Sequence, residues 1–129
     1  MEQKTILVAE DDASFRQTLG NFLHQHGFAV LCVEDGYQAL EFAVKDCPDL
    51  LVLDVHMPAG DGFSVHERVR KHPALALTPV IYMTHDPSRK VAMEAKEHNA
   101  FALMHKPFSL HELLGNIHAA LRSSSADAA

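Results

Sequence analysis

The sequence predicts an α/β fold, a doubly wound five-stranded parallel sheet with helices on both faces. Two observations predict it. Five short apolar runs recur along the chain, each the length of a strand buried on both faces. Between them lie amphipathic segments with helical spacing, and strands alternating with helices build parallel βαβ units. The chain has 129 residues, enough for one domain with one ordinary core. Hydrophobic residues make up 47% and charged residues 22%, which excludes a largely disordered, collagen-like or coiled-coil chain.

The first run is Ile6–Ala9. It is followed by Phe15, Leu19, Phe22 and Leu23, at i, i+4, i+7 and i+8, the stripe of a helix. Asp12 precedes that segment and is expected to cap it, and Gly27 is expected to stop it. The second run is Ala29–Val33 and the third is Leu50–Leu53. Asp61-Gly62 marks the turn into the third helix, and Pro73 and Pro79 bracket the loop after it. The fourth run is Val80–Met83. The fifth run is Phe101–Met104. Ser109 and Glu112 form a capping-box pattern ahead of a stripe of Leu110, Leu113, Leu114, Ile117 and Leu121. Residues 1–122 are read as one domain. Residues 123–129 have no apolar periodicity and are expected to form a flexible tail.

Eleven Lys and Arg against 17 Asp and Glu give a formal net charge of −6. Direct nucleic-acid binding is therefore not expected, because it normally requires a basic footprint. An acidic balance suits a cation site or a basic partner. Cys32 and Cys47 are too few for a disulfide framework and are expected as buried small hydrophobes in a reducing compartment. Met1–Thr5 carries no basic stretch leading into an apolar one, and no apolar run approaches a membrane span. No membrane contact is expected, and the cytoplasm is the expected location. Ten histidines show neither His-Glu-x-x-His nor a cysteine partner at zinc spacing, so most are expected on the surface or satisfied in the core. His66 is expected near the inner stripe of the third helix, with Phe63 and Val69.

On the predicted frame, Glu10 and Asp11 end the first strand, Asp54 the third, Thr84 the fourth and Lys106 the fifth. All five fall on the carboxyl edge of the sheet, where open α/β sheets bind ligands at the point the strand order reverses. With the flavodoxin-like order 2-1-3-4-5, Glu10 and Asp11 face Asp54 across that point. Taken alone, a strand-end carboxylate is more often a helix cap or a solvated loop residue, so the signal lies in the coincidence. Three carboxylates against one lysine are expected to raise a carboxyl pKa or attract a hard cation such as Mg²⁺. Asp54 is then placed as a nucleophile toward a phosphoryl group, with Lys106 and the Thr84 hydroxyl neutralising its oxygens.

The stretches Ile6-Leu-Val-Ala-Glu10-Asp11-Asp12, Asp49–Gly62 around Asp54 and Met57-Pro58, Val80-Ile-Tyr-Met-Thr84 and Lys106-Pro107-Phe108 resemble a response-regulator receiver domain, of the chemotaxis-regulator type. The resemblance covers about residues 4 to 122. It implies phosphorylation of Asp54, with Mg²⁺ held by Glu10, Asp11, Asp54 and the backbone carbonyl of His56. It also implies Lys106 as phosphate partner, Thr84 as switch hydroxyl and a cis Lys106–Pro107 bond. The implied partners are a sensor histidine kinase or histidine phosphotransfer protein, and a downstream effector domain or protein. A receiver of this kind catalyses only its own phosphorylation and dephosphorylation. The sequence departs from the common pattern at Leu103, where many receivers carry Tyr or Phe, and at His85, beside the threonine. His56 and Asp86 stand two residues after Asp54 and Thr84, at positions that tend to set dephosphorylation rate. A phosphatase of the haloacid-dehalogenase type also uses a strand-end aspartate, but it needs a second Asp where this chain has His56. A degenerate, interaction-only receiver would not keep Glu10, Asp11, Asp54, Thr84 and Lys106 together.

Overall fold

The computed structural model describes residues 3–128. Five strands alternate with five helices. They are β1 (Thr5–Ala9), α1 (Ala13–Gln25), β2 (Ala29–Val33), α2 (Gly36–Asp46), β3 (Leu50–Asp54), α3 (Gly62–Arg70), β4 (Val80–Thr84), α4 (Arg89–Glu97), β5 (Ala102–His105) and α5 (Leu110–Ala128). A 3-10 turn at Pro73–Leu75 leads into β4. The sheet is wholly parallel, in the order β2-β1-β3-β4-β5. This is the flavodoxin-like arrangement expected from the sequence.

Alternation along the strands divides the core into two layers. Ile6, Val8, Val52, Ile81 and Met83 pack with Leu19 and Leu23 of α1 and Leu113 and Ile117 of α5. Leu7, Ala9, Leu51, Leu53 and Tyr82 pack on the other face with Ala39 and Ala43 of α2, Phe63 and Val69 of α3, and Val91 and Ala95 of α4. Both faces of β1, β3 and β4 are covered, which is why their sequences run apolar without a polar break. The edge strands differ: β2 and β5 are largely half-buried, so the expectation of full cover does not hold there.

The cysteines need the same correction. Cys32 lies on edge strand β2, and Cys47 caps α2 in the left-handed region with φ 46°; both residues are exposed rather than buried. The fifth strand begins at Ala102, leaving Phe101 outside it and 40% exposed. Residues 123–128, expected as a tail, continue α5 to Ala128. They contain no Gly or Pro, and Ala126 and Ala128 favour helix. The side chains beyond Ser124, and residue 129 altogether, lie outside the described residues.

The helix starts follow their caps. The Asp12 carboxylate accepts the Phe15 N–H at 2.9 Å, Asp35 that of Gln38, Asp61 that of Ser64 and Ser88 that of Val91. Ser109 Oγ accepts the Glu112 N–H at 3.4 Å. Gly27 with φ 93° and Asn99 with φ 59° supply the left-handed turns after α1 and α4. Replacing Asp12 by Ala removes one such cap and nothing else. It should cost about 1 kcal/mol in urea unfolding, and it should leave the chemistry of the carboxyl edge unchanged.

Candidate phosphoacceptor site at the carboxyl edge

The parallel register brings the distant polar residues together. Ala9 pairs with Leu53, so Glu10, the residue after β1, stands level with Asp54; Thr84 pairs with His105, so Lys106 follows one residue beyond Thr84 on the same edge. Glu10, Asp54 and Thr84 are buried there. Asp11 is exposed at the rim. One ligand oxygen from each of Glu10, Asp11 and Asp54 lies within 4.8 Å of the others.

Lys106 organises the cluster. Its side chain is only 6% exposed, and its ammonium donates to Asp54 Oδ2 at 2.7 Å and to Glu10 Oε1. The second oxygens are also engaged: Asp54 Oδ1 accepts the His56 N–H at 3.1 Å, and Glu10 Oε2 accepts the Asp12 N–H at 3.1 Å. Burial alone would lower the lysine pKa. The hydrogen bonds and charges of Asp54 and Glu10 outweigh it and hold the group above its ordinary value. The repulsion expected within the carboxylate cluster is therefore largely compensated at Glu10 and Asp54. It shows at Asp11, whose carboxyl is pushed up by the neighbouring Glu10 carboxylate, by burial and by Glu10's charge.

An all-oxygen set with one carboxylate open to solvent fits a hard divalent cation that keeps part of its water shell. The Lys106–Pro107 bond is cis. The Phe15 ring lies 5.1 Å from the Lys106 ammonium and closes one side of the site.

Thr84 Oγ1 accepts the Asp86 N–H at 3.0 Å, so the hydroxyl is tied to the loop that follows β4. His56 Nε2 stands 3.6 Å from Asp86 Oδ2, and the two exposed side chains bridge the β3 and β4 loops over the edge. Asp86 is held below the usual carboxylate range, first by the Ser88 backbone N–H, then by the Ser88 and His56 side chains. Sequence spacing placed His56 and Asp86 near the site but did not pair them. Leu103 is half-buried beside Tyr82 and lines the layer of α2, α3 and α4.

A second polar group lies deeper in that layer. His66 is 4% exposed, and its Nδ1 is 2.5 Å from the Tyr82 hydroxyl. Arg70 Nη2 lies 2.6 Å from His66 Nε2 and also donates to the His98 carbonyl. The His98 ring stacks on Phe63 at 5.2 Å. The helical stripe placed His66 beside Phe63 and Val69, but its polar partners were missed. The i, i+4 spacing of His66 and Arg70 on α3 was the available signal.

Comparison with known proteins agrees with this geometry. The family model described as response regulator receiver domain matches residues 6–118. The response regulator MprA of Mycobacterium leprae is 36% identical over 122 residues, 95% of this chain and 53% of that protein. The transcriptional regulatory protein GltR of Pseudomonas aeruginosa is 34% identical over 119 residues, 92% of this chain and 49% of that protein. The chain thus spans about half the length of the curated relatives it matches. Among solved structures, the chemotaxis response regulator CheY4 of Vibrio cholerae superposes with a TM-score of 0.86 at 29% identity, over 92% of this chain and 99% of that one. A CheY-like receiver domain protein from Methanospirillum hungatei shares the fold with a TM-score of 0.91 at 21% identity, over 98% and 99% of the two chains. None of the described helices is long and apolar enough to cross a membrane. The architecture, the carboxyl-edge cluster and the match over residues 6–118 lead to one assignment: the chain belongs to the response regulator receiver domain family of two-component signalling.

Proposed function

We propose that the chain is a cytoplasmic phosphoacceptor. It takes a phosphoryl group from a sensor histidine kinase or a histidine phosphotransfer protein onto Asp54, and so switches binding to a downstream effector domain or protein. The observation that carries this reading is the convergence of Glu10, Asp11 and Asp54 on one edge with a single buried lysine ion-paired to two of them. An Asp54 carboxylate oxygen attacks the phosphorus, the P–N bond to the donor imidazole breaks, and its electron pair leaves with that nitrogen. Lys106 supplies the cation beside the transferred group, and the Thr84 hydroxyl, whose oxygen accepts the Asp86 N–H, has its O–H proton to donate to a phosphoryl oxygen. Mg²⁺ would be held by Glu10, Asp11, Asp54 and the His56 carbonyl, and when bound it would neutralise charge on the transferred group. The chain catalyses only its own phosphorylation and dephosphorylation and turns over no separate substrate.

Incubation with acetyl phosphate and Mg²⁺, read by intact mass, tests the proposal. One phosphoryl adduct, lost when EDTA replaces Mg²⁺, is expected. Turnover of phosphomonoesters would indicate a phosphatase instead, and absence of any adduct would indicate an interaction-only domain.

His56 and Asp86, 3.6 Å apart, are expected to flank the path of water approaching Asp54 from solvent. Changing both to Ala should alter the lifetime of the phosphorylated form severalfold without changing whether it forms. Decay at the wild-type rate under constant Mg²⁺ would remove the pair from the mechanism.

A further inference from the structure

Only three of the described basic residues are part-buried: Arg16, Arg70 and Lys106. Arg16 stands 3.9 Å from Glu34, and Lys106 is paired with Glu10 and Asp54. Arg70 has no carboxylate within 4.0 Å among the described residues. That is notable in a chain of formal net charge −6. A guanidinium has five N–H donors. Those of Nη2 serve His66 and the His98 carbonyl, while Nε and Nη1 bond to no described residue. Since Arg can only donate, His66 Nε2 is the acceptor and the ring proton sits on Nδ1, donated to Tyr82. His66 is thus a neutral bracket that orients the arginine.

Arg70 lines an open cleft of about 570 Å³, within the usual size of small-molecule sites. The cleft lies at the amino ends of β4 and β5, where Pro79 and Phe101 enter the strands, at the opposite end of the sheet from Lys106. Thr78, Asn99 and Ser123 contribute polar groups, and no acidic residue lines it among those described. Leu77 is 82% exposed and Phe101 40%, so one wall is apolar and open.

We propose that this cleft binds a small organic oxyanion, with a carboxylate or phosphate head on the free edge of the Arg70 guanidinium and an apolar body against Leu77 and Phe101. The planar fork suits either head group. The site requires neither Mg²⁺ nor phosphorylation, so its fate is independent of the phosphoacceptor reading.

Amide chemical-shift titrations of the Mg²⁺-free protein with benzoate, phenyl phosphate, inorganic phosphate and benzyl alcohol test it. Both aryl anions should give saturable shifts at Arg70, Thr78, Asn99 and Phe101, with Kd on the order of 1 mM for ligands this small. Benzyl alcohol should not saturate. The tighter of the two aryl anions assigns the head group. Arg70→Gln should abolish the saturable shifts. Leu77→Ser, a change at a solvent-exposed side chain, should weaken both aryl anions severalfold and leave inorganic phosphate unaffected, which keeps the proposal falsifiable if the arginine variant folds poorly. Three outcomes would overturn it: no saturable shifts in the wild type, shifts centred on Asp11, Asp54 and Lys106 instead, or aryl binding unaltered by Leu77→Ser.

Discussion

Asp54→Ala is expected to abolish the phosphoryl adduct completely, while Asp12→Ala forms it at the wild-type rate. The geometry leaves no other carboxylate at the edge equipped to substitute. Asp12 is committed to capping α1 through the Phe15 N–H. Glu10 places one oxygen on Lys106 and the other on the Asp12 N–H. Asp11 is exposed at the rim, and the Lys106 ammonium bonds to Glu10 and Asp54 rather than to it. Asp54 alone among these four sits at the end of a central strand with one oxygen on the Lys106 ammonium and the other on a backbone N–H. Its loss removes the proposed nucleophile and leaves Lys106 paired with Glu10, so the fold should survive. Asp54→Asn is the closer control, since its amide oxygen can still accept the His56 N–H but cannot attack phosphorus. Intact mass after acetyl phosphate treatment at constant Mg²⁺ reads all three variants. An Asp54→Ala protein that gains one phosphoryl group at the normal rate would place the acceptor elsewhere.

The central strands and the gathering of polar residues at the carboxyl edge were legible because their signals are local. Apolar runs such as Leu50–Leu53 mark parallel strands, and a polar residue just past such a run must lie on the carboxyl edge. Coverage at the sheet margins was not legible. Ala29–Val33 reads like the other runs, yet it becomes an edge strand with Cys32 exposed, because strand order decides what covers it. The sharing of Lys106 between Glu10 and Asp54, the His56–Asp86 bridge and the partners of His66 are side-chain geometries. They arise from packing between segments far apart in the chain, which periodicity does not encode.

The other large effect is expected on acidification, and it originates at His66. Burial first, then the positive charge of Arg70 and the nearby His98, press its pKa down from 6.5 to about 3. The folded state therefore resists a proton that the unfolded state binds below about pH 6.5. By linkage, stability is full above that value and falls as pH drops from about 6.5 toward about 3, where the folded ring would finally protonate. The whole window is worth roughly 4–5 kcal/mol at about 1.4 kcal/mol per pKa unit, a large share of a typical domain's stability. Structurally, protonating Nε2 removes the acceptor of the Arg70 N–H and sets a second cation beside the first; the Glu94 carboxylate stands 3.8 Å from the His98 ring, but no described carboxylate pairs with Arg70 or His66. His66→Gln removes the titrating ring and keeps a side chain able to hydrogen-bond. At pH 7 it should be less stable than the wild type by about 1–3 kcal/mol, the cost of disturbing a buried hydrogen-bonded group. Between pH 6.5 and 4 the wild type should lose that lead, because only it must keep a buried imidazole neutral. Urea unfolding of both proteins at pH 7, 5.5 and 4 measures the difference, in which the carboxylates common to both cancel. Parallel pH dependences in the two proteins would show that His66 does not govern the acid limb.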